Sequence, residues 1–313
     1  MAYFCGMKSK TARKYRTVNA YTNSSSRAFI KSSGVYTGKP DKDILVSTIR
    51  IPTASGSIPA LVLSPKAGAQ NAAGILWIHG GGYIAGMKEM VHISRAVDLV
   101  KRFGAVVISP GYRLAIQRPF PAAAEDCYSA LVYLKDHAQE LGIRRDQIMV
   151  GGESAGGGLC AAVCLMARDR KSVNIAFQMP LYPMLDDRDT ESSRDNHGKV
   201  WNTRKNHLAW KLYLRGTLKA QVPAYAAPAR AQDFADLPPA YTFVGDGEPF
   251  YVETLRYIEN LKRAGIPADV NVYHTDIHAF DMMQPELEIS KIAVEQFNQA
   301  FAYAKEHYFA ENL

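Results

Sequence analysis

Short apolar runs alternate with longer helical patterns along most of this chain, and no other feature constrains its fold as strongly. Two of the helical stretches end on Gly104 and Gly142, as helix C-termini often do. Apolar strands separated by helices form a mainly parallel sheet that is covered on both faces. With an initial antiparallel hairpin, the pattern predicts an α/β fold whose sheet has about eight strands. The predicted strands are DILVSTIRIP, SIPALVLSP, GILWIHG, AVVISP, QIMVGG, NIAFQMPLYP, PAYTFVG and ADVNVYH.

The composition is that of an ordinary globular protein. The chain has 313 residues, of which 47% are hydrophobic and 21% are charged, and this length suits one large domain that carries an insertion. No apolar run approaches the roughly 20 residues that a membrane helix needs, and the N-terminus lacks the apolar core of a secretory signal. The four cysteines show no Cys-x-x-Cys spacing, so buried free thiols are expected. We therefore expect a cytoplasmic protein without a membrane span.

The positive charge of the chain is concentrated in an N-terminal arm. The net charge is +7, but residues 1–50 hold ten Lys or Arg and two Asp or Glu, so they carry +8 and the rest of the chain about −1. A basic arm that covers part of the folded domain explains this distribution better than a nucleic-acid site does. No nucleic-acid partner is therefore predicted.

The glycine-rich joint IMVGGESAGGGLC, residues 148–160, permits two interpretations with very different chemistry. A phosphate-binding loop would need a Lys after its glycines, or Gly-x-Gly-x-x-Gly at the first strand–helix turn, and neither pattern fits. The segment GESAG does fit Gly-x-Ser-x-Gly between a predicted strand and a predicted helix. Such a turn exposes the hydroxyl of Ser154 as a nucleophile and aims the N–H of Ala155 at a developing oxyanion. A merely structural tight turn is the alternative.

A second glycine-rich segment, HGGG, follows an upstream strand and predicts an oxyanion hole. Consecutive glycines let backbone N–H groups approach a bound carbonyl oxygen without interference from side chains. Gly81 and Gly82 are the predicted donors, and His79 is expected to brace the loop through a hydrogen bond. A flexible turn is the alternative interpretation.

A nucleophilic serine needs a base and an orienting acid, which in this type of fold follow it in the order acid, then histidine. Only His274 and His278 follow the final predicted strand. His278 lies in the loop beyond that strand, where Phe280 is placed to hold it, so it is the predicted base. Asp246 and Glu248 both follow the preceding strand and are the candidate acids. No ligand cluster elsewhere supports a metal site, and neither a metal nor a cofactor is predicted.

These segments together resemble the hormone-sensitive-lipase-like esterases, the bacterial family IV carboxylesterases of the α/β-hydrolase fold. The resemblance runs from about Ile44 to the C-terminus, in HGGGY, YRLAIQRPFPAAAEDC, GGESAGG, LYPMLDDR and WNTRKNHLAWKLYL. It implies a serine carboxylesterase that hydrolyses short-chain acyl esters, with a small-molecule ester as its substrate. The chain departs from the family at Glu153, where Asp is usual, and at Ile116 and Gln117, where Pro-Glu is usual.

The family's acid is the Asp of an Asp-Pro-Leu or Asp-Pro-Phe sequence, and the matching segment here is GEPF. The resemblance therefore places Glu248 in that role, because a glutamate can also accept the Nδ1–H of the base and stabilise the imidazolium. Asp246 remains the alternative acid.

The resemblance also implies a small helical cap over the catalytic domain. Residues 1–42 are predicted to contribute an N-terminal arm to this cap and residues 186–225 an insertion, which leaves 43–185 and 226–313 as the α/β-hydrolase catalytic domain. The spacing of the aromatic residues in the insertion suits an acyl pocket and a simply packed helix equally well. Four aromatic residues are predicted to bind substrate: Tyr83, Tyr182, Trp201 and Trp210.

Two alternatives to a simple esterase remain open. A deacetylase or amidase acting on a small acetylated metabolite or sugar would need the same serine, base and oxyanion hole, so the sequence does not separate it from an esterase. A non-catalytic small-molecule-binding homologue would typically lack the histidine, whereas Ser154 and His278 are both present. The resemblance further implies a homodimer formed through the last strand and helix.

Overall fold

The computed structural model describes residues 41–218 and 221–312, and a sheet of eight strands lies at its centre. The predicted α/β fold is confirmed, and each predicted strand is present. The strands are β1 Ile44–Thr53, β2 Gly56–Pro65, β3 Ala72–Ile78, β4 Val106–Pro110, β5 Ile143–Glu153, β6 Phe177–Leu181, β7 Ala240–Gly245 and β8 Ala268–Tyr273.

The sheet is antiparallel at its start and parallel elsewhere. Its strand order is β1-β2-β4-β3-β5-β6-β7-β8, and β2 runs antiparallel to both β1 and β4. All remaining pairs are parallel, so the carboxyl ends of β3, β5, β7 and β8 lie at one edge of the sheet. The loops that follow these strands therefore meet at that edge, which is where open α/β sheets bind ligands. β8 is the last strand of the order and therefore lies at an edge of the sheet. The homodimer expected through this strand stays a prediction.

Helices cover both faces of this sheet in the described part of the chain. They are α1 Ala96–Phe103, α2 Ala122–Asp136, α3 Ala155–Arg170, α4 Thr203–Tyr213, α5 Tyr251–Arg263, α6 Phe280–Met283 and α7 Glu288–His307. Apolar side chains of α2, α3 and α5 pack on one face, and those of α1 and α7 pack on the other. As predicted, α1 ends at Gly104, which adopts the left-handed conformation with φ 69°.

The predicted insertion, residues 186–225, is helical only in part. In its described residues the α-helix α4 has 11 residues, and Asn202 caps it by accepting a hydrogen bond from the backbone N–H of Lys205. Tyr213 of α4 stacks on Tyr83 with ring centroids 4.0 Å apart, so this helix packs directly against the segment that follows β3. The division into cap and catalytic domain stays a prediction, because almost all of the N-terminal arm lies outside the described residues.

Two further expectations concern the described residues as a whole. Within 41–218 and 221–312 the structure contains no helix that is both long and apolar enough to cross a membrane. The cysteines in these ranges are free and buried, as predicted: Cys127, Cys160 and Cys164.

Candidate active site

Ser154 stands at the sharp turn where β5 passes directly into α3. Its backbone has φ 57° and ψ −117°, a conformation that a residue other than glycine adopts only under strain. The chain around it passes so close to β3 that a Cβ atom on Gly152 or Gly156 would lie 2.4 or 2.0 Å from the carbonyl oxygen of Ile78. The two glycines of Gly-x-Ser-x-Gly are therefore a steric requirement of this turn, which presents the Ser154 hydroxyl at the carboxyl edge of the sheet.

His278 contacts both Ser154 and a carboxylate. Its Nε2 lies 2.8 Å from Oγ of Ser154, and its Nδ1 forms a hydrogen bond with Oε2 of Glu248. Because a carboxylate faces Nδ1, that nitrogen carries the proton, and Nε2 is the acceptor for the serine hydroxyl. All three side chains are buried, with exposed fractions of 7% for Ser154, 4% for His278 and 0% for Glu248.

The two candidate acids contact different histidines. Asp246 accepts a hydrogen bond from Nδ1 of His274 at 2.9 Å and another from the backbone N–H of Thr275 at 3.2 Å. The side chain of His274 is 99% exposed, and the hydrogen bond that it donates to Asp246 raises its pKa. Asp246 therefore ties the loop after β8 to the loop after β7, and the carboxylate that reaches His278 is that of Glu248.

Two aromatic rings hold the imidazole of His278 edge to face. The ring centroid of Phe250 lies 5.0 Å away at an interplanar angle of 84°, and that of Tyr182 lies 5.2 Å away at 80°. Phe280, expected to do this, packs instead against Phe243. Phe250 is the last residue of GEPF, two residues after Glu248. Its place next to the candidate acid was the sequence signal that could have indicated a contact with the base.

The HGGG segment lies beside the serine. A Cβ atom on Gly80 would be 3.3 Å from Cβ of Ser154, and Gly81 and Gly82 both have positive φ, at 115° and 59°. No described residue accepts a backbone hydrogen bond from the N–H of Gly81 or Gly82. Ala155 is the first residue of α3, so its N–H has no acceptor within that helix. The three predicted oxyanion donors thus belong to segments that adjoin Ser154.

His79 braces this loop as a neutral side chain. Its Nδ1–H donates to the carbonyl of Gly80 at 2.8 Å, and its ring stacks on Tyr112 with centroids 4.2 Å apart. The hydroxyl of Tyr112 in turn donates to the carbonyl of His79 at 2.9 Å. Burial lowers the pKa of His79 to about 4, so the side chain is uncharged at neutral pH.

Glu153 is buried directly behind the nucleophile, where sequence reasoning assigned it no role. The indole Nε1–H of Trp77 donates to its Oε1 at 2.8 Å. Burial raises the pKa of Glu153 to about 8, and the negative charge of Asp281 raises it further. The hydrogen bond from Trp77 and the positive charge of Arg95 lower this pKa and so oppose the shift. The carboxyl group is therefore largely protonated at neutral pH and adds little negative charge beside the serine.

Three of the four aromatic residues predicted to bind substrate are buried in packing positions. Tyr83 donates its hydroxyl hydrogen to the carbonyl of Met184 at 2.7 Å, and Trp210 packs against it with centroids 5.4 Å apart. Tyr182 is fully buried under His278. Trp201 differs, because it is partly exposed and its indole lies over the HGGG segment. A Cβ atom on Gly82 would be 2.2 Å from Cη2 of Trp201.

The chain is similar in sequence to several known esterases. Residues 75–282 match the family described as having the alpha/beta hydrolase fold. Esterase LipI of Mycobacterium tuberculosis is 34% identical over 208 residues, which make up 66% of this chain and 65% of LipI, so the match spans just under two thirds of that relative. An arylesterase of Saccharolobus solfataricus is 32% identical over 71% of this chain and 72% of its own.

A solved structure extends the likeness over more of the chain. A bacterial heroin esterase has a TM-score of 0.84 and is 30% identical, with 89% of this chain and 90% of that one covered. The family match over residues 75–282 contains Ser154, Glu248 and His278.

Proposed function

This chain belongs to the hormone-sensitive-lipase-like esterases of the α/β-hydrolase fold, and on that premise we propose that it is a serine carboxylesterase acting on short-chain acyl esters. The observation that carries the proposal is the 2.8 Å contact between Oγ of Ser154 and Nε2 of His278, whose Nδ1 is bonded to Glu248. A serine, a histidine and an acid in this order activate a hydroxyl for acyl transfer. The names of the similar esterases support an ester as the substrate.

In the proposed first half-reaction, Oγ of Ser154 attacks the ester carbonyl while Nε2 of His278 takes the hydroxyl proton. Glu248 stabilises the imidazolium that forms. The carbonyl oxygen becomes an oxyanion and accepts hydrogen bonds from the backbone N–H groups of Gly81, Gly82 and Ala155. Collapse of this intermediate breaks the bond to the alcohol oxygen, and His278 gives its proton to the departing alcohol.

In the second half-reaction, water attacks the carbonyl of the acyl-enzyme. His278 removes the proton from this water and then returns it to Oγ of Ser154 as the bond between the serine oxygen and the acyl carbon breaks. The products are a carboxylic acid and the free enzyme. Because both half-reactions use the same base and the same oxyanion hole, replacement of His278 should stop both.

Trp201 supports the preference for short acyl chains. Its indole lies against Gly82, next to the N–H groups that would hold the carbonyl oxygen. The ring centroid of Trp201 is also 6.4 Å from that of Phe250, which contacts the base. A large, partly exposed ring at this position limits the space available to an acyl chain that leaves the carbonyl in its direction.

The experiment that tests the proposal compares two serine variants. Ser154→Ala should lower kcat for p-nitrophenyl acetate by about a million-fold, as loss of a nucleophilic serine does. Ser109→Ala is the matched control, because Ser109 is also buried but donates to the carbonyl of Lys88, outside the site. Near-normal hydrolysis by Ser154→Ala would end the proposal.

Covalent labelling separates the enzyme from a binding protein. A fluorophosphonate should label the wild type at Ser154 and leave the Ser154→Ala variant unlabelled. Folded wild-type protein that resists the reagent would favour the non-catalytic homologue. Faster turnover of acetanilides or acetylated sugars than of simple esters would move the proposal to an amidase or deacetylase.

A further inference from the structure

The imidazole of His278 makes its two hydrogen bonds only while its ring plane is held. One partner is Ser154 and the other is Glu248, on opposite nitrogens of the ring. Phe250 and Tyr182 contact this ring edge to face, at interplanar angles of 84° and 80°. Phe250 lies two residues after Glu248 and is fixed with it. Tyr182 belongs to a different segment, which follows β6, so it needs an anchor of its own.

That anchor consists of one backbone contact and the contacts of the tyrosine hydroxyl. The backbone N–H of Tyr182 donates to the carbonyl of Phe243 at 3.1 Å, and its φ of 33° is unusual for a residue other than glycine. Its hydroxyl donates to Oδ1 of Asp281 at 3.0 Å and lies 3.5 Å from Sδ of Met282, which is a weaker acceptor. The aromatic ring is 0% exposed. The orientation of the ring therefore depends on where the Asp281 carboxylate is held.

Asp281 is itself held by an ion pair. It is 0% exposed, and Nε of Arg95 lies 3.2 Å from its Oδ2, while Nη1 of Arg95 lies 3.2 Å from Asp98. Burial raises the pKa of Asp281, and the positive charge of Arg95 acts in the opposite direction. Asp281 also follows His278 by three residues, at the start of α6. Asp281 thus connects the segment that carries the base to Arg95, directly before α1, and to Tyr182, directly after β6.

We propose that Tyr182 is a positioning residue for His278, and that its hydroxyl must be held by the Asp281–Arg95 ion pair for the base to face Ser154. This inference rests on the proposed function. Without the hydroxyl bond, the Tyr182 ring can tilt and the imidazole plane can follow it. A small displacement of the base slows proton transfer but leaves ester binding nearly unchanged, so kcat should fall and KM should not.

The test uses two tyrosine variants that lose the same atom. Tyr182→Phe should lower kcat for p-nitrophenyl acetate by about tenfold to a hundredfold, with KM within about twofold of the wild-type value. Tyr257→Phe is the matched control, because Tyr257 is 2% exposed and its hydroxyl donates to Oε1 of Gln178 at 2.8 Å, in contact with neither Ser154 nor His278. This control should have wild-type kcat and KM even if its melting temperature falls.

A second variant identifies the ion pair as the anchor. Asp281→Asn should lower kcat to a similar degree, because it removes the ion pair with Arg95 that fixes the acceptor of the Tyr182 hydroxyl. The Tyr182→Phe, Asp281→Asn double variant should be no slower than the slower single variant, because Tyr182→Phe removes the donor of that same bond. A kcat of Tyr182→Phe within about twofold of wild type, an equal loss in Tyr257→Phe, or additive losses in the double variant would overturn the inference. In each case the wild type would still be labelled by a fluorophosphonate. A wild type that is neither active nor labelled would overturn the proposed function and this inference together.

Discussion

Replacement of Glu153 by glutamine should stabilise the protein increasingly as the pH rises. The side chain is 4% exposed, and its Oε1 accepts a hydrogen bond from Trp77 that a glutamine carbonyl can also accept. Burial is the main cause that raises its pKa from 4.5 to about 8. In the unfolded chain the same carboxyl is exposed to water and ionises near its ordinary pKa. The folded protein therefore retains a proton that the unfolded chain loses.

The sign and size of the effect follow from this difference. Because the pKa of the folded state is the higher one, the contribution of Glu153 to stability is fully present below about pH 4.5 and is lost as the pH rises to about 8. At about 1.36 kcal/mol per pH unit, the complete loss is about 5 kcal/mol. Integrated between about pH 5 and about pH 8.5, it is about 4 kcal/mol. Glutamine does not ionise, so the Glu153→Gln variant escapes this loss.

The assay is urea unfolding followed by circular dichroism at both pH values. The free energy of unfolding of Glu153→Gln, minus that of the wild type, should be about 4 kcal/mol larger at the higher pH. Glu306→Gln is the control, because Glu306 is exposed on α7. Its replacement should change the free energy of unfolding by nearly the same amount at both pH values. If the Glu153→Gln difference were also independent of pH, the reasoning about the buried carboxyl would be refuted.

Three further predictions concern the site itself. Gly82→Ala should lower kcat on the order of a hundredfold, as displacement of an oxyanion donor does, because the new Cβ would lie 2.2 Å from Trp201. Gly104→Ala is its control: φ is 69° there as well, but no atom lies within 4 Å of the new Cβ, so stability should fall and kcat should not. Trp201→Ala should raise the ratio of kcat/KM for p-nitrophenyl octanoate to that for the acetate by about tenfold, and an unchanged ratio across a chain-length series would contradict its role. Glu248→Gln should reduce kcat for p-nitrophenyl acetate on the order of ten-thousandfold, whereas Asp246→Asn should leave kcat within about threefold; the reverse ranking would make Asp246 the acid.

Most of the fold was predictable because its signals are local. A strand buried on both faces must be apolar along its whole length, so runs such as GILWIHG identify strands without any knowledge of their neighbours. The helix end at Gly104 follows from the conformation that glycine adopts there. The insertion was less predictable, because α4 occupies only Thr203–Tyr213 of its described residues. Ser192 and Asn196, which precede this helix, donate side-chain hydrogen bonds to the carbonyl oxygens of Pro249 and Gly247 instead.

Parts of the candidate site were also visible in the sequence. The glycines of GESAG and HGGG can be read in the sequence, and they permit the turns that these segments make. The atoms that leave no room for a Cβ belong to other parts of the chain, such as Ile78 against Gly152 and Trp201 against Gly82. The choice between His274 and His278 rested on distance from the end of β8. In the structure His274 is exposed beside Asp246, and His278 is buried against Ser154.

The sequence by itself determined the order of strands and helices, the turn that presents Ser154 and the residue types available at the carboxyl edge of the sheet. Only the tertiary structure decided that Glu248, and not Asp246 two residues earlier, reaches His278. That choice depends on how the loop after β7 turns relative to the loop after β8. The tertiary structure also revealed the network of Tyr182, Asp281 and Arg95, whose members are far apart in the chain. Local propensity carries no information about such contacts, because they form only when separate loops are packed against one another.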